Sequence, residues 1–183
     1  MRAALILVSL LLALTGAVAH AQTPPPHVTQ YFSDARLAGI GKLTWYGFHV
    51  YDARLYVPAA GIDRRNPAAS PFALELTYKR SLSGRAIADA SRDEIERLEF
   101  GSAESRARWH TQMVELFPNV KRDDSLAGVN LPGRGVRFYL DGKALGSIDD
   151  PQFALAFFAI WLDQRTNAPR LRESLLQQAA AAG

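Results

Sequence analysis

Gly41-Lys42-Leu43-Thr44-Trp45-Tyr46-Gly47-Phe48-His49-Val50-Tyr51-Asp52-Ala53-Arg54-Leu55-Tyr56 is the stretch whose reading decides the fold. A half-buried strand alternates apolar with polar residues. Here Leu43, Trp45, Tyr51, Ala53 and Leu55 take one parity while Tyr46, Phe48, Val50 and Tyr56 take the other. The pattern predicts one long strand covered on both faces, inside a layered fold. Gly47 marks a point where such a strand bends, or where a ligand approaches its backbone.

Downstream, a proline-containing loop from Pro58 to Pro71 leads to a second strand, where Phe72, Leu74, Leu76 and Tyr78 alternate with polar or small residues. Ser83 then offers an N-cap to a helix running to about Leu98, with Ile87, Ala90, Ser91, Ile95 and Leu98 on one side. Ser102 caps a further helix, Ala103 to Phe117, which carries Trp109, Met113, Leu116 and Phe117 on its buried stripe and Glu104 with Arg108 as a solvent-side pair. Strands return at Leu126–Leu131, Val136–Leu140 and Lys143–Leu145. The last two are joined by Asp141-Gly142, a two-residue hairpin signal. Asp150 and Pro151 open a very apolar helix through Leu162, and Asn167 with Pro169 opens an amphipathic one through Leu176. The order of elements predicts an α+β domain, an antiparallel sheet covered by helices. The helices from Ser83 and Pro151 are expected to cover the second face of the long strand.

Upstream, Arg2, the apolar run Ala3 to Leu14 and Ala19-His20-Ala21 form a secretory signal with an A-x-A cleavage site, assigned to residues 1–21. Retention of that segment as an anchor is the alternative. Export to the periplasm or beyond is expected, and no integral membrane span after cleavage. A proline-rich leader, extended over 22–30, precedes the domain at 31–178, and 179–183 form a frayed alanine tail. About 160 mature residues suit one domain with one core. The chain has no cysteine, which excludes thiol catalysis, iron–sulfur clusters and cysteine-bound zinc. Its 21 Lys and Arg are interspersed with 18 Asp and Glu rather than gathered into blocks, so neither nucleic acid nor an anionic membrane is indicated as a partner.

The histidines lack metal-ligand spacing, and no Gly-x-Ser-x-Gly elbow is present. Gly39-Ile40-Gly41 and Gly133-Arg134-Gly135 read as turns, since a strand rather than a helix follows each. Trp109, Trp161 and the capping Asp150 read as structural. Arg80, at a strand end, is the cation best placed for a cleft mouth.

Gly47 to Tyr56, Leu82-Ser83-Gly84, Val136 to Tyr139 with Leu145-Gly146, and Asp150 to Phe153 before Ile160-Trp161-Leu162 resemble, in order and spacing, the chalcone isomerase-like family in a secreted bacterial form. The resemblance covers nearly all of the mature chain. It implies an open-faced β-sandwich, with a cleft between the long strand and two helices. There plant members close a chalcone to a flavanone without a cofactor, and other members are similar to fatty-acid-binding proteins. Carried over position by position, the resemblance puts Tyr46 where the enzymes keep a polarising threonine, Ile87 where they keep a tyrosine, Glu94 where they keep an asparagine and Ile160 at their last hydroxyl position. Arg36 is the nearest counterpart of the catalytic arginine.

An enolate needs donors and a cation around it, and two isoleucines and a carboxylate supply neither. The resemblance therefore implies a cofactor-free, metal-free protein that binds a small apolar ligand, a fatty acid or polyphenol, through Tyr46, Phe48, Arg80, Ile87, Glu94 and Ile160. One alternative is an intramolecular lyase or isomerase with a rearranged site, in which Tyr46 and Arg36 or Arg80 polarise a carbonyl. The other is an envelope interaction module with a protein partner.

Overall fold

The computed structural model describes residues 23–180. The expected signal segment, 1–21, lies outside the described residues, as do 181–183. Six strands form one antiparallel meander in the order β1-β2-β3-β4-β5-β6. They are β1 (Arg36–Trp45), β2 (Phe48–Val57), β3 (Phe72–Tyr78), β4 (Ser125–Leu131), β5 (Gly135–Leu140) and β6 (Lys143–Ile148). A short helix, α1 (Pro26–Thr29), precedes the sheet. Helices α2 (Gly84–Arg97) and α3 (Ala103–Leu116) sit between β3 and β4, and α4 (Pro151–Leu162) and α5 (Pro169–Leu175) follow β6.

The deciding stretch is not one interior strand. It folds back on itself as the β1/β2 hairpin, with Trp45 paired to Phe48 across a two-residue turn. Tyr46 (φ 45°) and Gly47 (φ 81°) are both left-handed, the twist a two-residue hairpin needs. Gly47 therefore reverses the chain rather than bending it, and the doubled aromatic parity belongs to two strands of different burial. β1 is an edge strand, whereas β2 runs between β1 and β3. Gly39-Ile40-Gly41 lies inside β1 and is not a turn. A side chain at Gly39 would run into the Ser174 carbonyl, so glycine is what lets α5 lie against the sheet.

The three long helices, α2 to α4, and the shorter α5 all cover one face. From the strands, Tyr51, Ala53, Leu55, Val57, Leu74 and Phe138 enter a core shared with Ile95, Trp109, Phe153, Phe157, Trp161 and Leu171. Neither the Ser83 nor the Pro151 helix reaches the opposite face. There Tyr56, Ala73, Ala127, Val129 and Tyr139 are covered by Val28 and Phe32. The leader expected to be extended over 22–30 is thus helical at Pro26–Thr29, because burying Val28 outweighs the preference of a free polyproline run. Tyr139 hydrogen-bonds Tyr31 at 2.7 Å and stacks on His27 with centroids 5.1 Å apart, tying the segment down.

The capping chemistry reads through directly. Ser83 accepts from the Ala86 amide at 3.1 Å, Ser102 from Ser105 at 3.2 Å, and Asp150 from Gln152 at 2.8 Å. Asp150 also accepts from the Trp109 indole at 2.8 Å and pairs with Arg108 at 3.5 Å, which draws Arg108 away from Glu104. Burial alone would raise the Asp150 pKa; these donors outweigh it and hold the carboxyl below its ordinary value. Asn167 caps nothing: the N-cap of α5 is Ala168, which makes no side-chain cap bond, and the Asn167 amide donates to Glu94 at 2.8 Å. In the expected frayed tail, Ala179 is buried and its carbonyl accepts from the Ile62 amide at 2.8 Å.

Candidate functional site: an arginine-rimmed groove on the last long helix

α4 has apolar residues all round, and the core takes most of them. Its remaining side forms the floor of a groove of about 350 Å³, made by Leu155, Phe158, Ala159 and Leu162. Leu155, 36% exposed, is the floor residue most open to solvent. The β2–β3 connection supplies one wall, Arg64 to Ala68. Phe100 and the Asp163–Arg165 turn supply the other, and Arg172 of α5 closes one end.

Four arginines face one carboxylate around this floor: Arg64, Arg65, Arg165 and Arg172 against Asp163. Arg165 donates to Asp163 at 3.1 and 3.2 Å and lies over the Phe100 ring, 5.6 Å from its centroid. Burial alone would raise the Asp163 pKa; the Arg165 hydrogen bond outweighs it and the carboxyl is held low. Arg172 is anchored through Nε to the Leu162 carbonyl at 2.7 Å. Among the described residues, Arg64 and Arg65 have no ion-pair partner. The arrangement offers an apolar trough with cations on its rim, chemistry suited to a ligand that is greasy along its length and anionic at one end.

The residues singled out from the sequence do not meet at one place. Tyr46 is 87% exposed at the hairpin tip, while Arg36 is at the other end of β1. Ten strand residues separate those ends by roughly 30 Å, so the two cannot act on one carbonyl. Arg36 is instead a clamp: its guanidinium donates to the Gln178 and Ala180 carbonyls, both at 2.6 Å, and holds the chain after α5. Phe48 and Arg80 do meet, lining a second recess, of about 460 Å³, with His49, Lys79 and Arg122. Ile87 and Ile160 are half-buried against the helix-side core. Glu94 is tied to Arg97 at 2.8 Å and to Asn167, and lines neither the α4 groove nor the Phe48 recess.

Between β2 and α4 the interior is bridged by buried side chains. Trp161 Nε1 donates to Tyr51 Oη at 2.9 Å, and the Tyr51 ring meets Tyr78 edge-on at 5.8 Å. Burial pushes the Tyr51 hydroxyl up to about 12, so it stays neutral. The α4 groove was missed in the sequence because an all-apolar helix reads as wholly buried. The Arg64-Arg65 pair, in a loop otherwise read only for its prolines, was the signal that could have raised it.

An open antiparallel meander with its long helices on one face defines an α+β class of which the chalcone isomerase fold is one form. Residues 18–177 match the family model described as chalcone isomerase-like, and the chain belongs to that family. In structure it is similar to an Arabidopsis thaliana fatty-acid binding protein, with a TM-score of 0.64 and 16% sequence identity over 81% of this chain and 89% of that one. No curated protein sequence matches the chain.

Proposed function

We propose that this protein binds a small amphipathic anion of the fatty-acid class, without a cofactor and without efficient chalcone cyclisation, after export to the periplasm or beyond. The groove on α4 carries the reading: an apolar floor in a volume of about 350 Å³, rimmed by arginines of which two have no carboxylate partner among the described residues. A fatty acid is also the ligand class named for the Arabidopsis protein of similar fold.

The magnitudes are consistent with a reversible carrier. About ten methylenes, half-buried in an open trough, contribute roughly 4 kcal/mol. A charge-assisted hydrogen bond from arginine adds about 1.5–3 kcal/mol, which puts the dissociation constant between about 10 and 100 µM.

Displacement of a fluorescent fatty acid by laurate tests this. Wild type should bind in that range, and Leu155→Glu and Arg65→Glu should each weaken binding at least about tenfold. Undiminished binding in both variants would move the ligand elsewhere on the fold. Chalcone added to the protein should close no faster than it does alone, because Tyr46 and Arg36 lie at opposite ends of β1. Amino-terminal sequencing of exported protein should find Gln22 first.

A further inference from the structure

The hairpin tip is the most apolar exposed feature of the described chain, and it has no place in the groove chemistry. Trp45 is 61% exposed, Tyr46 87% and Phe48 66%. The Trp45 and Tyr46 rings meet edge-on at 5.2 Å, and Phe48 is the cross-strand partner of Trp45. Tyr46 holds φ 45°, a conformation that glycine or asparagine adopts far more readily than a bulky aromatic. An aromatic kept in water, at a strained position, points to something outside the chain that it meets.

Geometry narrows what that is. The β2–β3 pairing begins at Tyr51–Tyr78, with the Lys79 amide donating to the Val50 carbonyl at 2.8 Å, so Phe48 and His49 carry the hairpin beyond it by about 7 Å. A convex aromatic tip of that length matches the depth to which amphipathic elements enter a headgroup layer. Trp and Tyr are the residues that settle at that level, apolar in body and polar at the rim. Behind the tip, Arg80 and Arg122 line the recess with Phe48. Neither has an ion-pair partner among the described residues, whereas Lys79 there is engaged by Asp52 at 3.2 Å and Asp123 at 3.3 Å. Cations one level behind inserted aromatics stand where lipid phosphates would lie.

We infer that the β1/β2 hairpin tip docks this protein on an anionic bilayer, with Trp45, Tyr46 and Phe48 at headgroup depth and Arg80 and Arg122 on lipid phosphates. The linear sequence conceals this because the cations come from the β3–α2 and α3–β4 connections and form no block. The inference goes beyond the groove and does not depend on it, since the connection that walls the groove leaves β2 at Val57, the end away from the tip.

Quenching of Trp45 by brominated acyl chains tests it directly, read as the difference between wild type and Trp45→Phe in the full chain. That difference reports the tip and not adhesion through residues 3–14; Trp109 and Trp161 are buried. With vesicles containing about a third phosphatidylglycerol, Trp45 should be quenched, more weakly at high salt and weakly in pure phosphatidylcholine. Arg80→Gln with Arg122→Gln should weaken vesicle binding about 25-fold, about fivefold per cation. Both changes are on exposed side chains, and circular dichroism should be unchanged. A Trp45 that stays unquenched on anionic vesicles overturns the inference. So does a Trp45 that is already shielded without lipid in a concentration-dependent way, which would assign the tip to contact between copies of the chain. Laurate displacement should be the same in the tip variants, so failure here is separable from failure of the groove.

Discussion

Trp161 and Tyr51 join the last long helix to the second strand through a 2.9 Å hydrogen bond in the interior. Both side chains are buried, so neither polar group reaches water if its partner is lost. Replacing either partner strands the other: Tyr51→Phe leaves a buried indole N–H, and Trp161→Phe leaves a buried hydroxyl. Each should cost about 1–3 kcal/mol in urea unfolding. The double variant should cost less than the sum, since neither orphan remains.

Asp150 joins a helix cap to the core through Trp109. Asp150→Ala should cost about 2 kcal/mol at neutral pH, from the cap and the unpaired indole together. Its folded pKa is depressed, so this stabilisation is complete above the unfolded value near 4 and disappears as pH falls through the lower folded one. Urea midpoints of wild type and variant should therefore converge at strongly acid pH and separate as pH rises through the carboxylate range.

Burial pushes Tyr51 up to about 12 and raises Tyr78 as well. An unfolded chain ionises both near 10. Both raised values mean stability is intact below pH 10 and falls as pH rises above it, by about 1.4 kcal/mol per pH unit for each tyrosine held neutral. Phenolate absorbance from these two should therefore appear together with loss of circular dichroism, not before it.

Gly39 and Gly47 separate two reasons for glycine. Gly39→Ala drives a Cβ into the Ser174 carbonyl and should cost 3 kcal/mol or more, on the order of a severe core clash. Gly47→Ala meets open space, and only the positive φ opposes it, a cost of about 1–2 kcal/mol. Thermal unfolding of the two variants should rank them in that order.

Much of the fold is legible in the chain because its signals are local. Ser83, Ser102 and Asp150 cap the helices they precede, Asp141-Gly142 turns the hairpin it was read to turn, and Phe72 to Tyr78 shows its buried face by simple alternation. The first hairpin hid because its turn is Tyr46-Gly47. An aromatic at the first left-handed position does not announce a turn as asparagine does, and with aromatic residues on both sides of Gly47 the two strands read as one. α1 hid because nothing local separates a free polyproline leader from one whose Val28 is buried against the far face of the sheet. The groove was the least legible feature, since its floor, walls and rim come from four separate segments that only the tertiary fold brings together.

Irradiation of the protein with a medium-chain fatty acid carrying a diazirine on its tail, followed by peptide mapping, tests the proposed binding most directly. Labels should fall on α4 at Leu155 and Leu162 and on Phe100, and should be lost on competition with laurate. Labels confined to Tyr51, Ile87 and their neighbours between sheet and helices, or to the hairpin tip, would contradict it.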